Sequence, residues 1–185
     1  TQNETTPLNP QSPYACAKTY AWSLTKYYRQ VHGIFASTAI FFNHESPRRT
    51  DSYVTRKITK AAARIKLGLQ DQLLLGDLTA KLDFGFAGEY MEAAHSIMQL
   101  DQPDDFCIGT GEAVSVQQFL DETFAQAGLD PKTCVGTDER FMRPGKTSTL
   151  IADYSKATKA FGYEPKVKYK ELIDIMLKAD LEEEG

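Results

Sequence analysis

SPYACAKTYAWSLTKYYRQVHGIFASTAIFFN, residues 12–43, is the stretch whose reading decides the fold. Ser12 is a good N-cap, Pro13 suits the first helical position, and Gly33 is a stop signal. Between them Ala17, Ala21, Leu24, Tyr28 and Val31 recur at helical spacing, which predicts a helix over residues 13–31 with that apolar face. Residues 34–42 (IFASTAIFF) are apolar, partly β-branched and bounded by Gly33 and Asn43, which predicts a buried strand. A helix that feeds a buried strand is the repeating unit of an α/β protein with a largely parallel sheet.

The same alternation continues downstream. After the loop NHESPRRTDS, a helix is predicted over residues 54–67, with Val54, Ile58, Ala61 and Ile65 inward. Leu73 to Leu75 reads as a short strand, residues 89–100 as a helix, and Asp105 to Ile108 as a strand. Ser115 and Gln118 have the capping-box spacing ahead of a helix that reaches Ala127. Ser155 is read as the cap of a short helix ending at Gly162. Residues 171–181 form a last amphipathic helix, followed by the acidic tail Glu182-Glu183-Glu184. Only three or four strands are countable, and no Gly-x-Gly-x-x-Gly lies between a strand and a helix. Gly109-Thr110-Gly111 follows a strand without a third glycine in register, so it reads as a turn.

Composition sets the bounds. A chain of 185 residues with 42% hydrophobic and 25% charged residues can bury one core. Its formal net charge of −4 argues against a general nucleic-acid binder, and no apolar run approaches the ~20 residues of a membrane span. Cys16, Cys107 and Cys134 are scattered and odd in number, which fits a reducing compartment, and they have no metal-ligand spacing. The chain opens on Thr1 rather than methionine, as a processed chain or a piece of a longer one does.

Two constellations carry chemistry. Tyr14 and Lys18 stand one turn apart on one helix face. An ammonium near a phenol favours the phenolate, which lets a tyrosine act as a base at neutral pH; the bland alternative is a chance surface pair. The second is Asn43-His44-Glu45-Ser46-Pro47-Arg48-Arg49, placed where the strand over 34–42 ends. Ligands of open α/β sheets bind at the carboxyl ends of strands, and paired arginines suit phosphate oxygens. From Arg48 to Lys66 there are seven basic residues against one acid, Asp51. That excess points to an anionic, phosphate-bearing small ligand. For Arg56, Lys60 and Arg64, at i, i+4 and i+8, a solvated helix face is the favoured reading. His32 and His95 read as structural. The turn Arg143-Pro144-Gly145-Lys146 and the polar loop over residues 76–85 each offer a cation within reach of a diphosphate.

SPYACAK (12–18), FFNHESPRR (41–49), VTRKI (54–58), GDLTAKLDFG (76–85) and ADYSKATKAFGYEPKV (152–167) together resemble the C-terminal half of a GDP-mannose 4,6-dehydratase. That family belongs to the extended short-chain dehydrogenase/reductase superfamily. The resemblance implies the C-terminal part of a Rossmann-like NAD(P)-binding fold over residues 1–50. It implies a small α/β substrate-binding region over residues 51–185, with segments returning to the Rossmann sheet. The glycine-rich N-terminal half, with the family's catalytic Thr or Ser and its Glu, would lie upstream of Thr1, so the chain is expected to be a fragment, inactive alone. The activity implied is that of a lyase of GDP-fucose biosynthesis: an internal redox cycle with NADP that converts GDP-mannose to GDP-4-keto-6-deoxymannose. Tyr14 would be the base and Lys18 its partner, both also touching the cofactor. His44 and Arg49 match cofactor-contacting positions; Asn43, Lys57 and Arg143 match positions around the substrate. A cytoplasmic homodimer or homotetramer binding a GDP-sugar, with no nucleic-acid or membrane partner and no metal, is expected. Leu82 stands where the family has an arginine and Lys146 where it has a glutamate, both on the nucleotide-sugar side. The rival readings are a nucleotide-sugar epimerase or 4-ketoreductase with the same Tyr/Lys pair, and a non-catalytic binding or assembly subunit.

Overall fold

The computed structural model describes residues 1–141 and 149–185. Helix α1 spans Pro13–His32; β1 (Thr38–Phe41) and β2 (Asn43–Glu45) follow, then α2 (Val54–Lys66) and β3 (Leu73–Leu75). Next come β4 (Lys81–Leu82), β5 (Phe84–Phe86), α3 (Ala87–Ile97), β6 (Asp105–Ile108), β7 (Val114–Ser115) and α4 (Val116–Ala127). The chain ends with α5 (Pro131–Cys134), β8 (Val135–Thr137), α6 (Ser155–Phe161) and α7 (Tyr169–Glu184). The architecture is mixed α/β, as expected.

Strands pair in twos: β1 with β6, β2 with β5 and β3 with β8 in parallel, and β4 with β7 antiparallel. Parallel partners far apart in sequence require helical crossovers, which α2 to α4 supply. The single strand read over residues 34–42 is shorter and does not stop where expected. Thr38–Phe41 pairs with β6, Phe42 N still donates to Ile108 O at 3.0 Å, and Asn43–Glu45 then takes β5 as its partner. The start of the expected loop is therefore strand, and the chain forks between β6 and β5. This strand is half-buried rather than buried.

Two hydrophobic clusters make the core. Ile58 and Ala62 of α2, Phe119, Leu120 and Phe124 of α4, and Leu172, Ile173 and Met176 of α7 form the larger, against β3, β5 and β7. Tyr90, Ala93 and Ile97 of α3, Phe106 and Ile108 of β6, Ala157 of α6 and Tyr163 form the second. The capping box is present: Ser115 Oγ accepts from Gln118 N and Gln118 Oε1 accepts from Ser115 N. Two predicted ends move. Ser155 is the first helical residue of α6, with Tyr154 at the cap and Asp153 Oδ1 accepting from Ser155 N. The acidic tail is the last turn of α7.

The fork is held by one side chain. Asp83, fully buried, accepts from Thr110 N (2.8 Å) and Thr110 Oγ1 (2.7 Å) on one oxygen. Its other oxygen accepts from Gly111 N (2.9 Å) and Ala152 N (3.1 Å). Gly109-Thr110-Gly111 is thus a turn, its amides spent on a carboxylate. A side chain at Gly109 would collide with Ala152 and press on Asp83 and Phe42, so the close approach requires glycine.

Helix α1 departs furthest from expectation. Its predicted inward face is exposed, and none of its residues is buried. The side that docks carries Ala15, Thr19, Trp22, Thr25 and Arg29. Trp22 Nε1 donates to Asp105 Oδ2 (3.0 Å), while Arg29 Nη1 reaches Asp105 Oδ1 (2.7 Å) and Ala36 O (2.9 Å). Two polar anchors, not the apolar stripe, fix the helix. No described helix is long and apolar enough to cross a membrane.

Candidate active site

Tyr14 and Lys18 are brought together at the start of α1, with Lys18 Nζ 5.5 Å from the Tyr14 ring centroid. Ser12 Oγ accepts from Ala15 N at 3.1 Å and Pro13 occupies the first turn, so the sequence itself fixes this end of the helix. The phenol is 72% exposed. Among the described residues no hydrogen bond occupies either side chain.

The next group stands on β2 and the turn after it. Asn43 Nδ2 donates to Asp83 O at 3.2 Å, tying the strand to the fork. His44 Nδ1 lies 3.0 Å from Phe42 O. A carbonyl only accepts, so Nδ1 carries the proton and Nε2 is left as an acceptor. The imidazole packs against the rings of Phe41 and Tyr90, each 5.4 Å away by centroid, which also touch each other. Tyr90 is fully buried, and burial pushes its phenol pKa well above the ordinary range, so it serves as packing rather than as a base.

Arg49 sits just beyond β2. Its Nε is 3.3 Å from Glu45 Oε2, and its guanidinium carbon lies 3.5 Å from the Tyr53 ring centroid. Glu45 is buried and accepts a hydrogen bond from Thr55 Oγ1 at 2.6 Å, whereas Arg49 Nε is near it by charge alone. Burial pushes the Glu45 carboxyl up, against the pull of the Thr55 hydroxyl and the Arg49 charge.

The structure sorts the seven cations that composition could only count. Arg56, expected on a solvated face, is buried against Asp180 and reaches Glu183 at 2.7 Å. Lys60 pairs with Asp51 (3.1 Å), Glu183 (3.3 Å) and Glu184 (3.3 Å); Arg64 pairs with Glu184 at 2.5 Å. The acidic end of α7 therefore neutralises α2. Lys57 turns another way: its Nζ donates to Leu74 O at 2.7 Å and lies 3.7 Å from the Phe141 ring centroid, and burial pushes its pKa down. Lys66 is exposed at the far end of α2. Of the seven, only Arg48 and Arg49 sit at a strand end, and among the described residues neither uses its outer nitrogens in an ion pair. Arg143 and Lys146 lie outside the described residues.

No hydrogen bond or ion pair among the described residues joins the Tyr14–Lys18 group to the Asn43–His44–Arg49 group, or Lys57 to either. Two open depressions of about 670 and 550 Å³ are lined instead by Thr110, Gly111, Tyr154 and Lys159, and by Leu100, Phe106, Lys156 and Ala160. Glu45, Tyr53 and Tyr90 were not singled out by sequence. The one signal for the first two was the i, i+4 spacing of Glu45 to Arg49 and of Arg49 to Tyr53; Tyr90 had none.

The family model described as GDP-mannose 4,6 dehydratase matches residues 1–176. GDP-mannose 4,6 dehydratase 2 of Arabidopsis thaliana is 47% identical over 181 residues, covering 98% of this chain and 48% of the relative. GDP-mannose 4,6 dehydratase of Homo sapiens is 38% identical over 198 residues, covering 98% and 53%. The chain spans about half the length of the curated relatives it matches. Among solved structures, RMD from Pseudomonas aeruginosa complexed with NADPH superposes with TM-score 0.87 at 22% identity, covering 97% of this chain and 59% of that one. dTDP-glucose 4,6-dehydratase from Bacillus anthracis in complex with NAD superposes at 0.82 with 18% identity, covering 95% and 54%. At such identities the likeness is one of fold, and that fold is Rossmann-like. The chain belongs to the GDP-mannose 4,6-dehydratase family.

Proposed function

We propose that the complete protein dehydrates GDP-mannose to GDP-4-keto-6-deoxymannose with NADP bound. The observation that carries this reading is the family match over residues 1–176. The donor set fits a phosphate-bearing dinucleotide: a guanidinium open at its outer edge, an imidazole with one free acceptor, and a phenol beside an ammonium. Arg49, His44, Tyr14 and Lys18 would hold it; Asn43, Lys57 and Arg143 would face the substrate's diphosphate and nucleoside. A dinucleotide held there would supply reversible hydride chemistry, for oxidation at the sugar's C4 and reduction at C6 with no net redox.

Tyr14 and Lys18 supply the proton handling at C4. Tyr14 takes the proton of the C4 hydroxyl as that carbon is oxidised, and the nearby Lys18 ammonium favours the phenolate that can do so. The resulting 4-ketone acidifies the C5 hydrogen, water leaves across C5–C6, and hydride return to C6 with a proton to C5 completes the deoxy sugar. We extend the reading to a cytoplasmic homodimer or homotetramer, with residues 1–50 on the cofactor side and 51–185 mainly on the substrate side.

Leu82 favours a second reading in which the sugar differs. Where the family has an arginine, Leu82 packs against the larger core cluster and pairs with Val114. Incubating the complete protein with GDP-mannose and NADP+ and following the product by mass spectrometry tests both. Loss of one water from the sugar supports dehydration of GDP-mannose. A product that keeps its C6 hydroxyl supports an epimerase or ketoreductase, and turnover only of another nucleotide sugar supports the second reading.

A further inference from the structure

Arg48 and Arg49 are both left available beyond β2 among the described residues, but only the availability of Arg49 is built. An arginine on a turn has many rotamers, and ordering it on binding costs free energy. Here two neighbours have already reduced that freedom. Tyr53 supports one face of the guanidinium, its ring centroid 3.5 Å from the central carbon. Glu45 Oε2 lies 3.3 Å from the Nε edge and holds it by charge, without a hydrogen bond. Glu45 is itself fixed, because it is 2% exposed and accepts from the buried Thr55 hydroxyl at 2.6 Å. The Nη edge remains, and among the described residues it donates no hydrogen bond. A guanidinium gripped at one edge and one face presents the other edge as a two-pronged donor matched to a phosphate.

We propose that Glu45 is a positioning residue that sets Arg49 for a phosphate of the bound dinucleotide, with Tyr53 as the platform beneath it. This rests on the reading of Arg49 given under Proposed function. Glu45 does not touch the ligand; it acts through Arg49. Its burial is what makes it effective. A carboxylate that water and salt cannot reach keeps its hold on the guanidinium, whereas an exposed pair would be screened.

The test is a double-mutant cycle on the complete protein, read by calorimetric titration with NADP+ and, separately, with GDP. Glu45→Gln keeps the volume of the side chain and an oxygen for Thr55 but removes the charge that holds Arg49. It is expected to weaken NADP+ binding about five- to tenfold and to leave GDP binding within about twofold. Arg49→Ala should weaken NADP+ at least as much, and adding Glu45→Gln to it should cost nothing further. Tyr53→Leu, at an exposed position outside the core, should weaken NADP+ about threefold without disturbing a buried charge. Losses for Glu45→Gln and Arg49→Ala that add independently would overturn the proposal, as would equal weakening of NADP+ and GDP. NADP+ binding unchanged in both Glu45→Gln and Tyr53→Leu while Arg49→Ala is impaired would overturn it and leave the reading of Arg49 standing. NADP+ binding unchanged in Arg49→Ala would overturn that reading and this proposal together.

Discussion

Tyr14 is held by nothing but its own helix turn, and that isolation determines what its loss should do. Its hydroxyl makes no hydrogen bond among the described residues and its ring is largely exposed, so Tyr14→Phe removes no buried contact. If the phenol is the base, the variant should lose about 10²- to 10⁴-fold in kcat, the usual span for a general base. Dissociation constants for NADP+ and GDP should stay near those of the parent. A kcat within about threefold of the parent would remove Tyr14 from that role. The Tyr14–Lys18 pair was legible in the sequence because its geometry is local: a cap, a proline and four residues' spacing. The setting of Arg49 was only half legible. Its place after an apolar strand could be read, but that Glu45 is buried depends on Thr55 of the following helix and Phe86 of β5. Sequence spacing does not display that environment.

At the scale of elements, period alone misleads where docking is polar. Helix α1 has an apolar stripe at regular spacing, yet Trp22 and Arg29 fix the opposite side through Asp105, a residue 76 positions beyond Arg29. The fork at Phe42 was hidden for a related reason, since a run of apolar residues does not reveal where its pairing partner changes. The cations of α2 likewise needed the end of α7 to be understood. Docking of α1 on a carboxylate makes it sensitive to acid. Burial alone would push the Asp105 carboxyl up, but the Arg29 hydrogen bond and charge, with help from Trp22, hold it below the ordinary aspartate value. Because the folded value lies below that of an unfolded aspartate, near ~3.9, its stabilising contribution is complete above that pH. The contribution is lost as pH falls through the folded value. Hydrogen exchange of the α1 amides, normalised for intrinsic rate, should therefore accelerate on acidification below about pH 4. In Asp105→Asn, α1 should already exchange faster at neutral pH and lack that step. A parent-like profile in the variant would show that Asp105 does not anchor the helix.

For the whole molecule, the question is what makes two hydrophobic clusters behave as one body. The larger gathers α2, α4 and α7; the second gathers α3, α6 and β6. Asp83 stands between them, directly before Phe84 of the first cluster, and its carboxylate holds the turn after Ile108 of the second together with the backbone at Ala152. It was not singled out by sequence, because an aspartate in a polar glycine-bounded loop looks like turn chemistry. Its burial follows only once β5, β6 and residue 152 meet. Two carboxylate oxygens satisfy four donors here. An amide of the same shape offers one acceptor oxygen and turns an NH2 toward donors. Asp83→Asn should therefore leave at least one buried donor without a partner and set another against a like group. At roughly 1–3 kcal/mol for each unsatisfied buried group, the expected loss is about 2–4 kcal/mol. Urea unfolding of the complete protein, followed by circular dichroism, should show a lower midpoint. The transition should also broaden or split, because weakening the junction lets the two clusters unfold apart. A loss below about 1 kcal/mol with a single sharp transition would mean that packing between the clusters, rather than the carboxylate at the fork, joins the two halves of the core.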